Sequence, residues 1–303
     1  MITFIIPLIH PNHSKVKSYS DIFNYLSRTI INLLNQTIDV NIIIVCHKKP
    51  KWFLNTDKRI KFIFVNSIIF NILKNLDEKS KNIIYYKDNK YYEYLNYPGK
   101  YHNKDKGLKY FIALLYLSLE KNKPDFVGII DGDDFIDINL GKYLMNQPLK
   151  YNQFFINKGY LMLAKNDSIN IEISSIYKIK KFTDICGSNL LNNFYKNRIV
   201  NELLINEIII NIKENPNAWK VLPLFLGKHQ MYIGNKVSHN FHYLFKIKYI
   251  PFFACVKFLH TNNHSLCKEY NEKKMIKKYT QKGISPKYNN KILNDFRIIQ
   301  NLQ

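Results

Sequence analysis

With 303 residues, 46% of them hydrophobic, the chain has length for one large domain or one and a half with an ample core, and it is too apolar to remain disordered. Its net charge of +22 suits an anionic partner such as a nucleotide-sugar, an acidic glycan or a membrane surface. The Lys-, Asn- and Ile-rich, Ala-poor bias of an AT-rich coding sequence gives the same excess. The lysines form no long block and accompany no zinc-finger or RNP-like motif, so nucleic acid is not expected as a partner.

The cysteines at 46, 186, 255 and 267 lack CxxC spacing and suggest neither a zinc site nor a redox motif. Cys46 and Cys255 lie inside apolar runs and are expected to be buried thiols in a reducing compartment. Residues 1–7 lack a basic leader and the length of a signal h-region, and no uncharged apolar run has the length of a membrane span. The expectation is a cytoplasmic protein, soluble or peripheral to a membrane.

Residues 2–7 form a short apolar run closed by Pro7, which suits a buried strand. Ser18 to Asp21 has capping-box spacing, and behind it Ile22, Leu26, Ile30, Leu33 and Leu34 recur at helical intervals. Residues 41–47 read as a second buried strand, and strand, helix, strand opens a parallel α/β sheet. A third strand is expected over 59–65 and a short helix over 67–76. The polar, Tyr-rich stretch 77–104 reads as a surface excursion with a turn at Pro98-Gly99. Helical periodicity returns over 104–121, and residues 125–130 (DFVGII) form the next buried strand. In the second half, 154–164 and 171–177 read as strands and 189–195 and 200–214 as helices. Residues 241–258 carry two β-rich runs separated by Pro251. Three regions follow: residues 1–150 as a nucleotide-binding half, 151–268 as an acceptor-side half sharing the same core, and 269–303 as a basic tail with one helix near 291–302.

Asp131-Gly132-Asp133-Asp134 follows the strand at 125–130 directly, which places it at the edge where open α/β sheets bind ligands. A glycine between two aspartates allows a sharp turn on which two carboxylates converge. Hard divalent cations such as Mg²⁺ and Mn²⁺ take such oxygens together with substrate phosphates. The plainer alternative is an acidic loop in which Asp134 or Asp137 caps the following helix.

Several pieces together resemble the GT-A glycosyltransferases: the opening strand Phe4-Ile5-Ile6-Pro7, the run Val45 to Pro50, Asp105-Lys106 with Lys109 at a helix start, and Ile130 to Asp134 as a DxD motif. The resemblance covers about the first 140 residues. It implies a Rossmann-like α/β fold with a central mostly parallel sheet and a smaller mixed acceptor-side half. It also implies sugar transfer from a nucleotide-sugar, UDP by default, to a glycan or lipid-linked acceptor, with Mn²⁺ or Mg²⁺. By position, Asp131 then faces the ribose or the metal, Asp133 the metal and diphosphate, and Pro7 and Gly132 the nucleotide pocket. Asp105, Lys106 and Lys109 become candidates to approach the nucleotide; the alternative for both lysines is a solvated helix face.

Many such enzymes supply a late His as a further metal ligand, and His260 and His264 are the candidates here. The family's usual acidic base is missing: the comparable stretch reads Leu226 to Gln230, with His229 in place of an acid. His229 and Asp184 are the candidate general bases, and the segment around Asp184 also offers Gly187-Ser188 to the donor sugar. Both inverting and retaining outcomes stay open. His239 and His242 have HxxH spacing without a third ligand and read as ordinary polarity. A nucleotidyltransferase is disfavoured, because no glycine follows the first strand through Val16. A non-catalytic glycan- or nucleic-acid-binding protein with a degenerate site is the alternative from another class.

Overall fold

The structure is a computed structural model. It describes residues 1–9, 19–47, 57–65, 109–110, 112–114, 116–117, 120–148, 150–151, 153–165, 172–180, 182, 186, 188, 190–194, 247–259, 280–283 and 289–298.

The chain folds around a seven-stranded sheet. Strand β1 (Ile2–Pro7) lies between β2 (Val40–Cys46) and β4 (Phe126–Ile129), parallel to both, and β3 (Ile60–Phe64) adds in parallel outside β2. Strands β1, β2 and β4 are apolar almost throughout because parallel strands inside a sheet are covered on both faces; Phe4, Ile6, Ile42 and Ile44 have no exposed surface, whereas Lys61 and Phe64 of the outer strand β3 are exposed. On the other side of β4 comes β9 (Leu190–Asn193), antiparallel to β4 and to β6 (Gln153–Phe155). Strand β10 (Ile247–Tyr249) closes the edge, parallel to β6. Parallel pairings thus predominate, and the expected α/β class with a mostly parallel central sheet is what the chain adopts.

A second, mixed sheet runs in the order β12 (Thr280–Gly283), β8 (Glu172–Lys180), β7 (Lys158–Lys165), β11 (Cys255–Leu259), β5 (Phe135–Ile136). Its pairings are antiparallel apart from β7 with β11. The chain passes between the sheets at two places that matter here. The acidic turn connects β4 of the first sheet to β5 of the second, and Ile156-Asn157 connects β6 to β7.

Two expectations change. Residues 154–164 are two strands in different sheets, because the chain breaks at Ile156-Asn157, where the Asn157 carbonyl accepts the amide of Phe182 (3.1 Å). Residues 190–193 form a strand in place of the expected helix. Helical spacing there is overridden by tertiary pairing: Leu191 is buried, and Asn192 donates to the Tyr110 hydroxyl (3.0 Å) and accepts from Gln153 (3.1 Å).

Helix α1 (Tyr19–Leu34) buries Leu26, Ile30 and Leu33 against the central sheet, as its periodicity requires. It also carries a buried polar stripe. Thr29 donates to the Asp134 carbonyl (3.1 Å), and Asn32 accepts the Ile136 amide (2.9 Å) and donates to the carbonyls of Ile136 (2.8 Å) and Phe296. Just past the helix, Gln36 donates to the Asp137 carbonyl (2.9 Å) and accepts from Gly141 (3.0 Å). These side chains hold the backbone that follows the acidic turn. Helix α2 (Leu140–Met145) comes next. Helix α3 (Asn289–Asp295) brings Ile292 and the following Phe296 and Ile298 against Tyr25, Phe135 and Phe258. The expected helix over 67–76, the excursion 77–104 and the helix over 200–214 lie outside the described residues. The described residues of 109–117 are helical, as expected. No described helix is long and apolar enough to cross a membrane.

Candidate active site

The parallel strands β1, β2 and β4 end on one edge. Pro7 closes β1 opposite Val45, the Leu8 amide donates to the Val45 carbonyl (2.9 Å), and the Ile130 amide donates to the Ile5 carbonyl (3.0 Å). Asp131 to Asp134 turn away from this edge, with the Asp134 amide closing on the Asp131 carbonyl (3.1 Å). Gly132 does not serve as expected. No described glycine has positive φ, and a Cβ at Gly132 would meet Ile6 and Leu26 at 3.6 Å, an ordinary contact. The turn forms with backbone angles any residue adopts.

Asp131, Asp133 and Asp134 each bring a carboxylate oxygen within 4.8 Å of the others, close enough to share a cation. Their settings differ. The side chains of Asp131 and Asp133 are 21% and 23% exposed, whereas Asp134 is fully buried. Asp134 Oδ2 accepts from Ser188 Oγ (2.6 Å) and Cys186 Sγ (3.1 Å); Oδ1 accepts from the Phe258 amide (3.3 Å) and lies 3.3 Å from Lys257 Nζ. Asp134 is therefore not a helix cap. Asp137 instead accepts the amide of Asn139 (2.8 Å), and Asn139 caps α2 without a side-chain bond.

Lys257 is the residue that sequence reasoning missed. Its side chain is 3% exposed, and its ammonium lies 3.6 Å from Asp131, 4.0 Å from Asp133 and 3.3 Å from Asp134. It comes from β11 in the second sheet. On that strand Cys255 and Lys257 share the face toward the acidic turn, while Val256 and Phe258 pack against Tyr25 and Phe135 on the other. Burial works against the Lys257 charge, but the three carboxylates outweigh it and hold the ammonium well above its ordinary range. Burial likewise raises Asp134, to about 6; Lys257 pulls it down, Asp133 and Asp131 push it up, and the Ser188 hydrogen bond pulls it down. A signal was present: a lysine in phase with the inward-facing positions of an apolar strand needs a buried counter-charge.

Cys186 and Cys255 also converge on Asp134, with ligand atoms within 4.8 Å. Burial, first of all, pushes both thiols above their ordinary range, and the Asp134 carboxylate adds to it; the Lys257 ammonium pulls the other way but does not offset them, so they act as buried neutral thiols. Cys46 and Cys255 are buried as expected. The Ser188 amide turns to Cys186 Sγ (3.4 Å). Lys109 is not on a solvated helix face: it is fully buried, and its ammonium donates to the carbonyl of Leu8. Asp105, Lys106, Asp184, Gly187, His229, His239, His242, His260, His264 and Cys267 lie outside the described residues.

No family model matches the chain, and no curated protein matches it. Among solved structures, it is similar to 4-diphosphocytidyl-2C-methyl-D-erythritol synthase from Anaerococcus prevotii, with 11% identity over 91% of this chain and 93% of that one and a TM-score of 0.34. It is also similar to an active-site mutant of LgtC (10% identity, 96% of this chain and 100% of that one, TM-score 0.35). The galactosyltransferase LgtC in complex with donor and acceptor sugar analogs gives 9% identity, the same coverage and a TM-score of 0.34. Likeness this distant assigns no function.

Proposed function

We propose that the chain is a GT-A-type glycosyltransferase that moves a sugar from a nucleoside-diphosphate donor to a hydroxyl acceptor. The observation that carries the reading is the placement of Asp131 and Asp133. Both are partly exposed and stand on the turn that leaves the carboxyl end of β4 beside β1, the edge where open α/β sheets take their ligands.

A divalent cation fits these two side chains, since hard cations bind carboxylate oxygens and leave further positions to water and substrate phosphates. It does not fit Asp134, whose oxygens are all engaged within the protein. When bound, Mn²⁺ or Mg²⁺ neutralises charge on a diphosphate leaving group. The chain's own residues do the rest. Lys109 holds the Leu8 carbonyl and so fixes the segment leaving Pro7, which with Gly132 borders the base and ribose. Asp131 orients the ribose as well as the cation. Asp105 and Lys106 approach the nucleotide, and His260 or His264 adds a ligand. His229 or Asp184 takes the proton from the acceptor hydroxyl. UDP is the default donor nucleotide, and the acceptor is a glycan or a lipid-linked sugar.

The test is nucleotide release from a panel of nucleotide-sugars in Mn²⁺. Asp133→Ala and Asp133→Asn are expected to abolish it without lowering thermal stability, because a partly exposed carboxylate contributes little packing. Near-normal turnover in both variants would overturn the reading.

A further inference from the structure

We infer that Lys257 sets the charge of the cation site and that Asp134 answers Lys257 and not the cation, leaving Asp131 and Asp133 as a dianionic pair matched to a divalent ion. The inference rests on the cation reading above and assigns a positioning role to two residues that reading leaves unexplained.

Three carboxylates surround one ammonium, at 3.6, 4.0 and 3.3 Å, so the cluster keeps two net negative charges. Lys257 is too deeply buried to reach a substrate. Its ammonium is nevertheless close enough to both candidate ligands to repel an arriving cation and to compete for the same oxygens. Asp134 offsets this. Its carboxylate is turned away from the exposed side, anchored by Ser188, Cys186 and the Phe258 amide, and it makes the shortest of the three approaches to the ammonium. Neutralising Asp134 alone therefore leaves Lys257 drawn onto Asp131 and Asp133. Neutralising both partners returns the pair to two negative charges.

The experiment is Mn²⁺ binding to the full chain without nucleotide, read from the electron paramagnetic resonance signal of free Mn²⁺. Asp134→Asn is expected to weaken binding by about tenfold or more, the scale seen when a supporting contact behind a metal ligand is lost. The double variant Asp134→Asn/Lys257→Gln is expected to recover near wild-type affinity; Asp134→Asn/Lys257→Met serves where the first pair melts early. A double variant that binds as weakly as Asp134→Asn makes Asp134 a ligand and overturns the inference, and so does wild-type affinity in Asp134→Asn itself, whether or not either pair folds. Asp133→Asn is the control. If it binds Mn²⁺ as well as wild type, or wild type binds none, the cation reading falls and this inference with it. If binding is lost in Asp133→Asn but the double variants give no recovery, the charge balance alone is overturned.

Discussion

Ser188 donates its hydroxyl to Asp134 Oδ2 at 2.6 Å while accepting the amide of Asp131 at 2.7 Å, so a single buried oxygen joins the first and last residues of the acidic turn. Ser188→Ala removes both bonds. The Asp131 amide then loses this acceptor, and Asp134 Oδ2 keeps only the weaker thiol of Cys186. Leaving a buried polar group unsatisfied costs about 1–3 kcal/mol. We expect Ser188→Ala to lose stability on that scale in denaturant unfolding. Wild-type stability in the variant would mean that the turn holds its shape without the hydroxyl.

Gly132 and Gly159 answer differently to the same substitution. At Gly132 an added Cβ touches Ile6 and Leu26 at 3.6 Å and Leu8 at 4.0 Å, all ordinary contacts. At Gly159 it would stand 2.2 Å from the ring of Phe182 and 2.7 Å from the Cys255 carbonyl. Gly159 pairs with Cys255 in register, so that carbonyl gives way only if β7 and β11 separate. Gly132→Ala should change stability by no more than about 0.5 kcal/mol. Gly159→Ala should cost about 3 kcal/mol or more, the upper range for overpacking a core. Thermal denaturation of the two variants side by side checks this; similar melting temperatures would refute it.

Strands β1, β2 and β4 were legible because each is a largely apolar run, and α1 because its apolar positions recur every three or four residues. The acidic turn was legible because it follows such a strand directly. What was hidden depends on pairing between distant segments. The two-residue strand β5 exists because β11 pairs with it and because Asn32 and Thr29 hold the backbone around it; nothing in Phe135-Ile136 alone demands a strand. The polar stripe of α1 borders its apolar face, with Thr29 two turns beyond Ile22, and spacing alone does not say which backbone such side chains will meet. Lys257 lies 123 positions beyond Asp134, and its partner is chosen by the second sheet folding onto the first. Asp134 was expected at most to cap the following helix, yet it is fully buried and faces Lys257.

That burial has a consequence for stability against pH. Asp134 is raised from 3.8 to about 6, chiefly by burial. Between those values the folded protein keeps a proton that the unfolded chain has shed, so stability falls as pH rises through the window from about 4 to about 6. At about 1.4 kcal/mol per unit, the fall is on the order of 3 kcal/mol. Lys257 acts in a separate window. Its ammonium is held above the ordinary 10.5, so its contribution is complete at neutral pH and is lost only as pH climbs through the folded value. The acid window thus separates Asp134 from Lys257, and comparison with a variant that cannot ionise there separates it from Asp137, whose carboxyl burial also raises. Denaturant unfolding of wild type and Asp134→Asn, with a chelator present and from pH 4 to 7, measures it. The asparagine cannot ionise, so wild type should lose stability relative to the variant between pH 4 and 6 and run parallel to it above. Parallel curves throughout would return the Asp134 carboxyl to its ordinary value. A wild type that gained on the variant over the same range would show that the attraction of Lys257 outweighs burial at this carboxylate.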